Sequence, residues 1–327
     1  MDRSRRRILM GAAGAACLAG LPAPARARPG RTATLGGGAF GSYWRLTFSP
    51  GIDAGPVRAA VEHAIAAVDA ALSPFRADSD ISRFNALAPV GWIEVSAGAA
   101  RVITEGLRIA RLTGGAFDPT VGPVVARYGF GPISGSLAGS YDAIRIRGHG
   151  VGKTAPGLTF DPCGIAKGYG LDRIDGQLRA LGLTSYLLEL GGEVRARGRH
   201  PAGRAWRVAI ERPEAGARTA QRILRLEDQA LATSGDWIQS YQMNGRRLSH
   251  IIDPGRRAPV ASHVASVSVI APQAMTADAL ATGLMAMGPE KGLALAARLD
   301  LPVLYLLREG AELREAASPR FAPYVVA

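Results

Sequence analysis

Four segments of the chain carry apolar residues at helical spacing, and each is bounded by residues that favour helix ends. The predicted helices are 56–72, Ala97–Leu112, 165–181 and 277–287. Pro56 suits the first turn of its helix, and Ser96 and Thr276 are candidate N-caps. Gly114, which begins a Gly-Gly pair, and Gly182 are expected to end the second and third helices.

Alternating or β-branched apolar stretches predict strands between and after these helices. The predicted strands are 33–48, 186–190, 206–210, 223–226, 264–270, 303–307 and 324–326. Helices and strands alternate irregularly and several strands follow one another, which favours an α+β fold over a doubly wound sheet. Because no repeat or clean linker interrupts the chain, residues 28–327 are predicted to form one large domain, with two lobes as the alternative arrangement.

The first 27 residues have the features of an export signal. Ser4-Arg5-Arg6-Arg7-Ile8-Leu9 is a twin-arginine type n-region, an apolar stretch of small residues follows, and Ala25-Arg26-Ala27 supplies a cleavage pattern. The apolar stretch is shorter than the roughly 20 residues that span a bilayer, although an uncleaved anchor is the alternative. We therefore expect an exported, periplasmic protein, membrane-associated if the signal is retained. Twin-arginine export usually carries folded proteins, which favours a tightly bound cofactor.

Composition narrows the function further. The formal net charge is +12, but the arginines are scattered among acids and aromatic residues are sparse. This pattern argues against nucleic-acid binding and suits attraction of an anionic cofactor. Beyond residue 27 the only cysteine is Cys163, which excludes an intramolecular disulfide and a cysteine-built zinc site.

Asp278 and Thr282 are the first candidate for chemistry. Residues four apart share a face of a helix, so a carboxylate and a hydroxyl would project side by side. Such hard oxygen ligands suit Mg²⁺. The alternative is structural: an acid in the first helical turn, favoured by the helix dipole, and a buried threonine bonded to its own backbone.

The second candidate is the glycine-punctuated stretch Asp161-Pro162-Cys163-Gly164-Ile165-Ala166-Lys167-Gly168-Tyr169, which opens a predicted helix. Such a turn offers a helix N-terminus to an anion, and Lys167 adds a point charge. The spacing does not match the P-loop, so a nucleotide kinase is not indicated. An ordinary strand-to-helix turn is the alternative interpretation.

The third candidate is Ser249-His250-Ile251-Ile252-Asp253-Pro254, where a histidine and an acid stand close together before a turn. Histidine is the usual general base near neutral pH, but taken alone a histidine followed by apolar residues more often has a structural role. No Gly-x-Ser-x-Gly motif or Ser-His-Asp arrangement is apparent, which weakens a hydrolase interpretation.

Taken in order, these stretches and several others resemble the ApbE family of FAD:protein FMN transferases over nearly the whole chain after residue 27. The matching blocks are Ser73-Pro74-Phe75, Ser79-Asp80-Ile81-Ser82-Arg83-Phe84-Asn85, Gly115-Ala116-Phe117-Asp118-Pro119-Thr120-Val121, Tyr128-Gly129-Phe130, Gly164-Ile165-Ala166-Lys167-Gly168-Tyr169 with Asp172, Leu190-Gly191-Gly192-Glu193, Ala232-Thr233-Ser234-Gly235-Asp236, His250-Ile251-Ile252-Asp253-Pro254 and Ala277-Asp278-Ala279-Leu280-Ala281-Thr282.

The resemblance implies a T-fold-like α+β architecture that encloses one FAD, with a magnesium ion at the pyrophosphate. The implied metal ligands are the Ala166 carbonyl and the side chains of Asp278 and Thr282. The implied flavin or adenine contacts are Phe40, Phe75, Ala116, Phe117, Asp118, Cys163, Tyr169 and Ile252. Three positions depart from the family pattern: Phe40, where methionine is usual, Pro162-Cys163, and Gly255-Arg256-Arg257 after Asp253-Pro254.

The implied reaction is magnesium-dependent transfer of FMN from FAD to a Ser or Thr hydroxyl, with His250 as base and Lys167 offsetting pyrophosphate charge. The implied partner is a subunit of a membrane or exported redox complex that carries a Ser/Thr flavinylation motif. Two alternatives stay open: a pyrophosphatase that hydrolyses FAD to FMN and AMP, and a flavin-binding protein without catalytic activity.

Overall fold

One antiparallel sheet organises the chain. The computed structural model describes residues 30–326 apart from 88–89, 137, 215–218, 238, 244–245, 262 and 311, so the predicted signal at 1–27 lies outside the described residues. The eight strands of the sheet lie side by side in the order Ala33–Ala39, Ser42–Phe48, Tyr186–Leu190, Glu193–Arg197, Ala230–Gly235, Val264–Ala271, Val303–Glu309 and Glu312–Ala317, and every adjacent pair is antiparallel. The interior strand β15 (Val264–Ala271) is buried along its whole length, so both faces of the sheet are covered there.

The elements have the following bounds. The helices are α1 Ala54–Leu72, α2 Asp80–Ala86, α3 Ala97–Leu112, α4 Gly122–Arg127, α5 Ala166–Ala180, α6 Ala274–Met287 and α7 Pro289–Arg298, with 3-10 turns at Tyr141–Ala143 and Pro319–Tyr324. The other strands are β1 Ala33–Ala39, β2 Ser42–Phe48, β3 Gly91–Glu94, β4 Ile144–Arg147, β5 Gly150–Lys153, β6 Tyr186–Leu190, β7 Glu193–Arg197, β8 Trp206–Glu211, β9 Ala220–Leu226, β10 Ala230–Gly235, β11 Ser240–Met243, β12 Arg246–Ser249, β13 Ile252–Asp253, β14 Ala258–Pro259, β16 Val303–Glu309 and β17 Glu312–Ala317.

Different elements cover the two faces of the sheet. Helices α1, α5 and α6 pack side by side on one face, where Val267, Val269 and Tyr305 belong to the largest apolar cluster. The β8–β9 hairpin covers the other face against Leu304 and Leu306. This layered α+β arrangement is a single domain and confirms the predicted fold class.

The start of α6 is capped by a residue from another helix. Asp172 of α5 accepts hydrogen bonds from the amides of Ala274 and Met275, both at 2.9 Å. The predicted cap Thr276 was wrong: it lies inside α6, which begins earlier, and its hydroxyl donates to Glu105 of α3 at 2.7 Å. The cap could not be found locally, since the acceptor is about a hundred residues away in the sequence.

The start of α5 is capped in return from α6. No side chain of its own N-cap residue bonds the first turn, but the Gly168 amide donates to Oδ2 of Asp278 at 2.9 Å. A Cβ at Gly168 would lie 2.3 Å from the Ala274 carbonyl oxygen, so only glycine allows this approach. The two helices therefore hold each other's N-termini through a pair of aspartates.

Two predicted strands differ from the structure. Residues 33–48 form a hairpin rather than one strand, because Phe40 and Gly41 adopt positive φ angles of 50° and 70° at a two-residue turn. At the C-terminus the predicted strand 324–326 is absent: Tyr324 ends the 3-10 turn Pro319–Tyr324, and Val325 forms only an isolated bridge to Leu224. The last strand of the sheet is the charged edge strand β17, which the apolar pattern did not indicate.

The remaining predicted elements agree with the structure to within a few residues. In particular, α3 has the predicted bounds, with the Ser96 hydroxyl accepting from the Ala99 amide at 3.2 Å and a glycine of positive φ, Gly114, after its end. Among the described helices, none is both long enough and apolar enough to cross a bilayer.

Asp172→Ala should destabilise the domain by about 2–3 kcal/mol, because it leaves two amides at the α5–α6 junction without their charged acceptor. Urea unfolding monitored by circular dichroism measures this loss. Ser96→Ala is the control, since it removes one neutral cap from α3 and should cost about 1 kcal/mol. Equal losses in the two variants would contradict the role assigned to Asp172.

Candidate active site

The acid and the hydroxyl predicted to share a helix face lie against the predicted glycine-rich turn. The Asp278 carboxylate holds the Gly168 amide, and a Cβ at Gly164 would lie 3.1 Å from Oγ1 of Thr282. Thr282 Oγ1 also lies 3.1 Å from the Ser234 hydroxyl at the end of β10. Residues from α5, α6 and β10 therefore meet at one point.

The oxygen atoms at this point suit a hard cation. Only Oδ2 of Asp278 accepts a hydrogen bond from the described residues, which leaves Oδ1 without a partner there. Ala166, whose carbonyl is the third predicted ligand, is the first residue of α5. No group of three or more His, Cys, Asp or Glu side chains in the described part of the chain could hold a metal, so a site here depends on this mixed set. One carboxylate, one hydroxyl and one carbonyl fit Mg²⁺, which also takes oxygens from substrate phosphates.

Asp278 is almost fully buried, at 3% exposed. Burial raises the pKa of its carboxyl, while the Lys167 ammonium and the Gly168 hydrogen bond lower it. A buried carboxylate with a cation on one side and an open oxygen is the kind of group that a second cation stabilises in its charged form.

Lys167 is oriented by a buried partner. Its ammonium lies 2.5 Å from Oε1 of Glu193, whose side chain is 3% exposed against 37% for the lysine. Burial lowers the pKa of Lys167, but the carboxylates of Glu193 and Asp278 outweigh it, so the pKa is raised and the lysine is a cation. Burial raises the pKa of Glu193, although the Lys167 ammonium lowers it. The Oε2 atom of Glu193 is buried and has no hydrogen-bond partner among the described residues. The sequence did not single out Glu193 beyond the Gly191-Gly192-Glu193 block.

His250 is held in one orientation by a backbone oxygen. Its Nδ1 lies 3.1 Å from the Gln239 carbonyl, which can only accept, so Nδ1 carries the proton and Nε2 has a free lone pair. The ring packs edge-on to Phe130, with centroids 6.1 Å apart. Burial lowers the pKa of His250, and the Lys167 charge lowers it further, while the Gln239 hydrogen bond and Asp236 raise it.

The acid near His250 is not the one that the sequence suggested. Asp253 uses Oδ1 to accept from the amides of Gly255 and Arg256, as a turn residue does. Asp236 at the end of β10 exerts the electrostatic effect on His250, and Arg308 of β16 fixes it through two hydrogen bonds of 2.8 and 2.5 Å. This long-range pairing left no signal in the sequence.

The predicted aromatic contacts fall into different environments. Phe40, which is 37% exposed, lines a cavity of about 490 Å³ between the β1–β2 hairpin and α1. Its ring also lies beside Gly170 of α5. Phe75 is 76% exposed after α1. Both rings thus offer apolar surface to a ligand.

Other predicted contacts are packed into the protein. Phe117 is buried between Gly164 and Gly283, next to the Asp278–Thr282 face of α6. Tyr169 is 4% exposed and its hydroxyl points at Gly98 of α3, so only an edge of it could touch a ligand. Ile252 packs with Val124 in a small apolar cluster.

The remaining members of the predicted contact set lie outside the helices and strands. Asp118 is buried and accepts from the amide and the hydroxyl of Thr120, and burial raises its pKa. Ala116 is half-buried beside it. Cys163 is exposed, and its amide donates to Asp161 at 2.9 Å. The assignment of these residues to FAD stays a prediction.

Comparison with known proteins gives a consistent result. The model of the ApbE family matches residues 40–305. An FAD:protein FMN transferase of Vibrio cholerae is 36% identical over 315 residues, which cover 91% of this chain and 94% of that protein. One of Escherichia coli K12 is 33% identical and covers 93% of this chain and 92% of its own length. The solved flavin transferase ApbE from Vibrio cholerae superposes with a TM-score of 0.81 at 35% identity, over 90% of this chain and all of that one.

His250 should titrate below its usual value of about 6.5, because burial favours the neutral ring. The unfolded chain then takes up this proton first as the pH falls, so the stability present above pH ~6.5 is lost progressively below it. NMR titration of the imidazole measures the pKa directly, with His250→Gln to assign the signal. A value at or above about 6.5 would contradict the neutral state expected for the partly buried ring.

Proposed function

The chain belongs to the ApbE family and is a flavin transferase, and we propose that it moves FMN from FAD onto a Ser or Thr hydroxyl of an acceptor protein, with Mg²⁺ bound and AMP released. The observation that carries this proposal is the meeting of Asp278, Thr282 and the Gly164–Gly168 turn at the start of α5. A pyrophosphate is stabilised by positive charge around it, which Lys167 and a cation held by these oxygen ligands would supply at this junction.

The start of α5 would receive the pyrophosphate of FAD. Its N-terminus has the positive end of the helix dipole, and the Lys167 ammonium stands in the same turn. Glu193 restrains the Lys167 side chain, so the ammonium group is already in position when FAD binds. This positioning is the main contribution that a protein makes to phosphoryl transfer.

The residues that would hold Mg²⁺ are Asp278, Thr282 and Ala166 through its carbonyl. When bound, the ion would neutralise charge that develops on the phosphate oxygens. Asp278 keeps its orientation through the Gly168 amide, which fixes one carboxylate oxygen and leaves the other for ligation. The carboxylate is thus preorganised by the helix that it caps.

His250 would take the proton from the acceptor hydroxyl. The Gln239 carbonyl holds Nδ1–H, so Nε2 is the basic atom. The hydroxyl oxygen forms a bond to the FMN phosphorus, the bond from that phosphorus to the AMP oxygen breaks, and AMP leaves with the electron pair.

The acid limb of the pH profile of kcat/KM should then follow the pKa of His250 and vanish in His250→Gln.

The variant Asp278→Asn distinguishes loss of the metal site from loss of folding stability. Asparagine keeps an oxygen for the Gly168 amide but loses the charge, so the protein should fold normally and lose covalent flavin transfer by at least about 100-fold. Co-expression with an acceptor domain, followed by mass measurement of the FMN adduct, gives the yield. Asp278→Ala loses the cap as well and should also unfold more easily.

Asp253→Asn is the matched control, because Asp253 caps only a turn and the variant should transfer normally. Chelation should stop transfer by the wild type, and added Mg²⁺ should restore it. Full transfer by Asp278→Asn would contradict the proposed metal site.

Rapid AMP release from FAD without an acceptor would instead indicate a pyrophosphatase. Bound FAD without turnover would indicate a flavin-binding protein.

We also propose that residues 1–27 direct export to the periplasm, on the basis of the twin-arginine sequence Arg5-Arg6 and the cleavage pattern at Ala25-Arg26-Ala27. Replacing Arg5, Arg6 and Arg7 by lysine keeps the charge but removes the twin-arginine signature, so the protein should accumulate in the cytoplasm. Cell fractionation and the mass of the mature N-terminus measure this. Unchanged export would show that another route is used.

A further inference from the structure

Four arginines surround a pocket on the outer side of the β8–β9 hairpin. This arginine pocket has a volume of about 480 Å³. Its lining residues are Arg199, Arg204, Ala205, Arg207, Arg225, Val325 and Val326. Among these described lining residues there is no aspartate or glutamate. The pocket therefore combines a strongly positive rim with a small apolar floor.

Two of the arginines face each other directly. Arg207 of β8 and Arg225 of β9 are cross-strand partners, and both are exposed. Like charges directly opposite each other in an antiparallel pair destabilise it. An anion bound between the two guanidinium groups would relieve this repulsion.

Few hydrogen-bond donors of these arginines are used. Arg225 donates its Nε to the Pro323 carbonyl at 2.9 Å, and Arg204 donates one group to the Ala205 carbonyl at 3.2 Å. The Arg207 guanidinium has no hydrogen bond or ion pair with any described residue, although its backbone belongs to the β8–β9 ladder. Each guanidinium has five donors, so most of them point at the pocket or at solvent without a protein acceptor.

Arginines elsewhere in the described structure commonly pair with acids. Arg308 holds Asp236, and Arg197 holds Asp175 at 2.6 Å. In the arginine pocket the one ion pair between described residues is at the rim, where Arg199 meets Glu227 at 3.0 Å and both side chains are exposed. The pocket thus brings together three arginines, Arg204, Arg207 and Arg225, that have no acidic partner among the described residues.

We propose that the arginine pocket binds a phosphate-bearing anion. Guanidinium groups hold phosphate through paired hydrogen bonds, and two of them side by side would clamp one group from both strands. The volume lies within the range of small-molecule sites, so a phosphate ester fits as well as the free ion. Its source is a phospholipid headgroup or a soluble phosphate compound.

The pocket is separate from the flavin site. The β8–β9 hairpin packs against the sheet face that bears Leu304 and Leu306, whereas α5 and α6 cover the opposite face. Occupation of the pocket therefore leaves Lys167 and Asp278 free for FAD.

The test uses the whole protein saturated with FAD, so that the flavin site does not compete for the probe. The melting temperature is measured against inorganic phosphate at constant ionic strength, for the wild type and for Arg207→Gln/Arg225→Gln. The wild type should melt at rising temperature as phosphate increases, and the variant should need at least tenfold more phosphate for the same rise. Without phosphate, the variant should melt higher than the wild type, since the repulsion is gone.

Arg145→Gln/Arg147→Gln is the control, because it removes the same charge from exposed positions of β4 and should leave the phosphate response intact. Arg207→Lys tests the geometry: it keeps the charge but loses the paired donors, so it should respond more weakly than the wild type. If the double variant and the wild type respond equally to phosphate, the proposal is wrong.

Sedimentation with vesicles identifies the source of the anion. Binding to phosphatidylglycerol vesicles, but not to phosphatidylcholine vesicles, that is lost in Arg207→Gln/Arg225→Gln would identify a lipid headgroup. A phosphate response without vesicle binding would identify a soluble phosphate compound. Absence of both responses in the wild type would overturn the proposal.

Discussion

The structure depends on two aspartates that cap each other's helices. Asp172 of α5 holds the first amides of α6, and Asp278 of α6 holds an amide in the first turn of α5. Helix N-termini have unsatisfied donors, which are costly when buried unless an acceptor reaches them. Here each acceptor comes from the neighbouring helix, so the two caps fix the relative position of α5 and α6 as well as their starts. Gly168 makes the arrangement possible because nothing larger fits against Ala274.

This junction explains how α6, which is mostly apolar, can carry a buried acid that faces the candidate site. Helix α6 is buried along most of its length, and Asp278 is one of few charged or polar groups on it. Burying a lone carboxylate costs free energy of desolvation, but the Gly168 amide and the nearby Lys167 offset that cost. The same interactions that stabilise the fold therefore keep an acid in the protein interior where it faces the turn that would hold a pyrophosphate.

The sequence predicted what depends on local pattern. Helix α3 was predicted to the residue because its cap, its apolar period and its terminal glycines are adjacent in the chain. The start of α6 was missed by three residues because its cap is Asp172. The hairpin at Phe40 was missed because phenylalanine is unusual at positive φ, and β17 because an edge strand carries charges.

The same distinction holds for the site. The one-turn spacing of Asp278 and Thr282 made their shared helix face predictable. The partners that orient the chemistry, Glu193 for Lys167 and Asp236 near His250, come from distant strands and carried no local signal. Tertiary contacts also decided that Tyr169 packs into the core, which its place in a matching block did not reveal.

The hydrogen bond from Gly168 to Asp278 has a consequence for measurement. The amide proton of Gly168 exchanges with solvent only when the α5–α6 junction opens, because its acceptor lies on the other helix. Any molecule that prefers the closed junction slows that opening. The exchange rate of this one amide proton therefore reports how often the α5–α6 junction opens.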